Sequence, residues 1–69
     1  MEKVLINEIK ESGKYVFMDV TIPKNSYFHV IGWINTIAPY TEKKILDTSR
    51  YSLRFISQNN ATVFKEMWC

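Results

Sequence analysis

A single cysteine, Cys69, stands at the last position of the sequence. No internal disulfide can form, and there is no thiol cluster for a structural zinc site. Histidine is also single, at His29. A metal centre needs two to four converging His, Cys or carboxylate ligands, so no metal and no cofactor is expected. With two glycines and two prolines in 69 residues, collagen-like and low-complexity readings fail, and a glycine-rich phosphate loop cannot be built. No stretch approaches the ~20 apolar residues that span a bilayer. The first residues lack a basic segment followed by an apolar run, so a secretory signal is not expected and the cytoplasm is the expected compartment. Cys69 also lacks the residues that follow the cysteine of a prenylation box.

Charge of one sign is scarce as well. Nine Lys and Arg oppose seven Asp and Glu, a net charge of +2. Residues 1–41 balance to zero, and the +2 resides in residues 42–69. A nucleic-acid-binding domain ordinarily shows a stronger excess, and the positive sign excludes an acidic mimic of DNA. What the chain does have is apolar material, 46% of residues with 14% aromatic. That suits one domain near the lower size limit for a core of its own, because large rings supply much buried area per residue.

The clearest local signal is Tyr15–Ile22. Val16, Met18, Val20 and Ile22 alternate with Tyr15, Phe17, Asp19 and Thr21, which is the period of a strand with one buried face. Gly13 suits the positive-φ position of a hairpin loop over residues 11–14, making residues 3–10 the partner strand. The alternative is a short N-terminal helix, since Leu5 and Ile9 lie four apart and Gly13 could close it. Pro23 ends the strand. Asn25 or Ser26 is positioned to cap a helix over 27–38, in which Phe28, Ile31, Ile34 and Ile37 form an apolar stripe with Val30 and Trp33 beside it. Gly32 within that helix suggests close approach to a sheet. Pro39 closes the helix.

A second hairpin follows, with strands over 43–47 and 51–57 and a turn at Thr48-Ser49. In it Tyr51, Leu53 and Phe55 alternate with Ser52 and Arg54. In residues 58–69, Ala61, Phe64 and Trp68 share a helical face, with Asn59 or Asn60 as the cap; Thr62-Val63-Phe64 as a strand is the alternative. The expected fold is a single α+β domain over 1–69, ordered β-β-α-β-β-α. It is a two-layer structure with a four-stranded antiparallel sheet and two helices packed on one face.

Leu53, Phe55, Ala61, Phe64, Lys65 and Trp68 fall in a pattern that resembles the ends of small bacteriophage accessory proteins: a strand, a short polar turn and a helix of the form A-x-x-F-K-x-x-W. The pattern covers about 20 residues in the C-terminal third of the chain. The glycine usual after the tryptophan is Cys69 here. The resemblance implies a phage or mobile-element origin and a helical reading of residues 59–68. It implies no catalytic residues.

A search for chemistry finds scattered groups. His29, on the flank of the helical stripe, has no second ligand or base nearby and reads as a partly exposed helical histidine. Cys69 has no helix N-terminus or cation cluster to activate it. Asp19 is a lone acid on a strand, where a carboxylate pair would be needed for glycosidic or proton chemistry. The expectation is therefore a non-enzymatic protein. It would bind and modulate, for instance inhibit, a protein partner, which is a host protein if the chain is phage-encoded. If both helices cover one face of the sheet, Tyr15 and Phe17 are exposed on the other and form the protein-binding anchors; helices placed otherwise would bury them. The alternative is a nucleic-acid-binding hairpin using Lys43, Lys44, Arg50, Tyr51 and Arg54, weighed against plain edge-strand lysines that discourage aggregation. A homodimer through edge strands or the exposed rings is compatible with both, and no membrane partner is expected.

Overall fold

The alternation along Tyr15–Thr21 resolves into two faces in the computed structural model, which describes residues 3–69. Val16, Met18 and Val20 are buried, and Tyr15, Phe17, Asp19 and Thr21 between them are half-buried on the other side. This strand, β2 (Tyr15–Thr21), pairs antiparallel with β1 (Leu5–Ser12). The loop joining them is tighter than the residue 11–14 reading. Ser12 already faces Tyr15, leaving a two-residue turn of Gly13 and Lys14. Gly13 takes φ = 60° and no other described residue has positive φ, the pattern of a type II′ turn with glycine first.

After Pro23 a 3₁₀ turn, Lys24–Ser26, leads into α1 (Tyr27–Ile37), then β3 (Glu42–Ile45), β4 (Arg50–Phe55) and α2 (Gln58–Trp68). The fold is α+β, with the expected β-β-α-β-β-α order and both helices against one face of a single antiparallel sheet. Strand order is β1-β2-β4-β3. The hairpins therefore join along their second strands, and β1 and β3 become the edges. In the joint, Phe17 faces Arg54, Asp19 faces Ser52 and Thr21 faces Arg50. One bulge interrupts β1 at Asn7, between Ile6, which faces Val20, and Glu8, which faces Asp19. The extra residue brings Asn7 onto the same side as Glu8.

The core is one cluster between sheet and helices. Val16, Met18, Val20, Ile22, Leu53 and Phe55 meet Val30, Ile34, Ala61, Phe64 and Trp68. Phe64 stands on Phe55 with ring centroids 5.1 Å apart. Trp33 joins the helices, 6.1 Å from Phe64 and 6.4 Å edge-on from Trp68. The backbone N–H of Val4 donates to the carbonyl of Trp68 at 3.0 Å, tying the start of the sheet to the end of α2.

Three local readings are corrected. The stripe of α1 is not Phe28-Ile31-Ile34-Ile37. Phe28 is 84% and Ile37 52% exposed, whereas Val30 and Ile34 are buried with Tyr27, Ile31 and Trp33 packed beside them. Steps of three fall about 60° behind the helix per step, so a run of four such positions winds half-way round the cylinder. Ser26 does hold the N-cap position of α1, but not through a side-chain capping bond, and the cap of α2 is neither asparagine. The backbone at Ser26 is already helical (φ −105°, ψ −8°), because the 3₁₀ turn feeds α1 directly. At α2 the cap is Ser57, whose Oγ accepts from the backbone N–H of Asn60 at 3.2 Å. Finally, Gly32 approaches nothing: a Cβ there would meet open space.

Candidate protein-binding face

Because both helices occupy one side, no described element covers the other side of the sheet. Pleating sends every second residue to it, and the registers arrange those residues in rows. Lys10, Phe17, Arg54 and Glu42 form one row across the four strands. Glu8, Asp19, Ser52 and Lys44 form the next, and Leu5, Thr21 and Arg50 the third. Phe17 sits near the centre with Tyr15 beside it along β2, ring centroids 6.5 Å apart. The face is hollowed into a groove of about 290 Å³ lined by Glu8, Lys10, Phe17, Asp19, Lys44, Leu46 and Ser52.

Opposite charges pair around the rings. Arg50 binds Asp19, with Nη2 to Oδ2 at 2.6 Å, and Asn7 donates to the same carboxylate at 3.3 Å and to Thr21 Oγ1 at 3.0 Å. The Arg50 hydrogen bond, then that of Asn7, holds the Asp19 carboxyl below the ordinary carboxylate range. Arg54 reaches Glu42 at 2.8 Å while its guanidinium carbon lies 4.6 Å from the centroid of the Tyr15 ring. Lys10 and Glu8 are 3.7 Å apart. Of the charged residues lining the groove, Lys44 is the one with no ion-pair partner among the described residues.

The sheet thus brings Tyr15 and Phe17 together on the uncovered side, joined by Lys44, Arg50 and Arg54. It does not bring the five nucleic-acid candidates together. Lys43 and Tyr51 project to the helix side, where Tyr51 is buried. There Lys43 donates to the Tyr27 hydroxyl, its Nζ 4.9 Å from the Tyr27 ring and 5.7 Å from the Tyr51 ring. The signal for this split was present, since neighbouring residues of a strand face opposite ways and Tyr51 shares the buried period of Leu53. Sequence reasoning also passed over Asn7, Glu8, Lys10 and Glu42. Once the turn is known to close at Ser12 and Tyr15, counting back two residues puts Lys10 beside Phe17.

Elsewhere, His29 and Cys69 are exposed. Local desolvation pushes the Cys69 thiol up from its ordinary value, against a weaker pull from Lys65 and Lys3. No three His, Cys, Asp or Glu residues converge on one point among the described residues, and no described helix is long and apolar enough to cross a membrane. A second hollow of about 240 Å³ lies where Phe28 and Tyr27 of α1 meet Ile22, Tyr51 and the Thr48-Ser49 turn.

No protein-family model matches the chain, and neither a curated protein nor a solved structure matches it.

Proposed function

We propose that this chain is a non-catalytic interaction protein that docks onto a protein partner through the sheet face opposite the helices, with Phe17 and Tyr15 as anchors. The observation that carries this reading is the groove itself: the Phe17 ring near the centre of the sheet, rimmed by charges of both signs. An apolar centre within a polar rim is the anatomy of a protein interface. The partner that fits would lay an apolar side chain over Phe17 and bring a carboxylate to Lys44. A phage origin, a host target to be modulated and a cytoplasmic site of action belong to the same proposal; the first two rest on the Leu53-to-Trp68 pattern.

Capture of a partner by the wild-type chain, followed by titration of Phe17→Ala and Phe28→Ala, tests it. Phe17→Ala is expected to weaken binding by more than about 1 kcal/mol with the fold intact. Phe28→Ala, which removes an exposed ring outside the groove, is expected to leave binding unchanged. Equal loss in both variants, or none in either, rejects the face.

The nucleic-acid alternative draws support from Lys44, Arg50 and Arg54 sharing the face with two rings. It is weakened by Asp19 and Glu42, which already neutralise the two arginines. Gel shifts with single- and double-stranded probes at two salt concentrations separate the readings, because phosphate contacts must weaken steeply with salt.

A further inference from the structure

We propose that β1 is a self-recognition edge, through which two copies of the chain pair antiparallel with Ile9 of one against Ile9 of the other. β1 is eight residues long and no described strand lies beyond it. The two-residue turn makes Ser12 and Tyr15 a hydrogen-bonded pair, so Lys10 and Glu8 also turn their N–H and C=O groups toward β2. Ile9 and Glu11 alternate with them and point theirs outward. The edge is therefore a template for another strand.

The side chains select the register. With a twofold axis at Ile9, Glu8 of each copy opposes Lys10 of the other on the groove side, and two Ile9 side chains, each 41% exposed, meet on the helix side. The two backbone groups of Ile9 exchange both hydrogen bonds across the axis. Axes at Glu8, Lys10 or Glu11 would instead set like charges against each other. The opposite edge behaves differently: an axis in the middle of β3 brings Lys43 onto Lys43 or Lys44 onto Lys44. The bulge at Asn7 limits the paired segment on one side, so the association is short and concentration-dependent. The result is one sheet of eight strands in which both Phe17 grooves open on the same side. This pairing stands independently of the protein-docking role of the groove.

Head-to-tail pairing of β1 with β3 of the next copy also matches charges, Glu8 with Lys44 and Lys10 with Glu42, but it grows without closing. Charge swaps distinguish the two. The experiment is sedimentation of the full chain over a concentration series for wild type, Glu8→Lys, Lys10→Glu, the double swap, Ile9→Ala and Ile9→Pro, with circular dichroism on each. The expected result is a wild-type dimer weakened roughly tenfold or more by either single swap and restored by the double swap, which recreates both pairs across the axis. Ile9→Pro, tolerated at an edge, gives a folded monomer, while Ile9→Ala, which keeps the N–H, still dimerises. If Ile9→Pro fails to fold, the swap series alone decides. A wild type that stays monomeric at sub-millimolar concentration, a dimer indifferent to the single swaps, or association abolished by the double swap would each overturn the proposal.

Discussion

Asp19 and Arg50 meet at 2.6 Å across the junction of β2 and β4, although 31 positions separate them in the chain. They are diagonal neighbours, one row apart, and Asn7 completes the contact from the bulge of β1. Three strands are thus cross-linked at one carboxylate. The pair fastens the seam between the two hairpins on the side that no helix covers.

A pH dependence follows with a definite sign. The folded-state pKa of Asp19 lies below its ordinary value, so the contribution to stability is fully present above about 3.9, the unfolded value, and is lost as pH falls through the folded value. Asp19→Asn is expected to be less stable than wild type at neutral pH, with the gap closing in acid below the ordinary carboxylate pKa. Urea midpoints from neutral pH down to strong acid measure this; a gap that is constant with pH contradicts it.

Gly32→Ala is expected to stabilise the protein by about 0.5–1 kcal/mol. The glycine lies in a helix interior, where it is less favourable than alanine, and the added Cβ meets open space. A raised thermal midpoint is the readout, and a lowered one would mean that α1 packs more closely than described.

The two aromatic rings misjudged and rightly judged from periodicity give a paired test. Phe64 is fully buried, between Phe55 and Trp33. Phe64→Ala should cost about 3–5 kcal/mol, close to the whole stability of a domain this small. Phe28→Ser, at an exposed position, should change stability by under about 0.5 kcal/mol. Denaturant unfolding of both variants checks the rotation of α1 and α2 on the sheet.

Ser57→Ala removes the side-chain acceptor for the Asn60 N–H and should cost about 1 kcal/mol. Asn59→Ala, an exposed first-turn position without that bond, should cost much less. Equal effects would shift the start of α2 to the asparagines.

Much of the architecture could be read directly from local pattern. The alternation from Tyr15 to Ile22, the glycine at 13 and the Ala61-Phe64-Trp68 face each carry their own period, and each element forms as that period requires. The stripe of α1 misled because Tyr27, Phe28, Val30, Ile31, Trp33, Ile34 and Ile37 are all apolar, so several faces satisfy a simple count and only packing selects one. The caps misled because Ser57, Asn59 and Asn60 are all competent acceptors, and backbone conformation decides among them. The face around Phe17 was half legible. Its two rings follow from period two along β2, but their neighbours Arg54 and Glu42 arrive through β2–β4 and β3–β4 pairing. Contacts of that sequence separation depend on which strands become central, which no single segment encodes.

Both tryptophans belong to the helical layer, where Trp33 meets both Phe64 and Trp68, while the rings at the groove are a tyrosine and a phenylalanine. Intrinsic indole emission will therefore track melting of this protein yet stay nearly silent when something occupies the opposite side of the sheet. Optical titrations of docking need a dye or a tryptophan introduced at the groove rim, and the unmodified chain supplies its own clean reporter of unfolding.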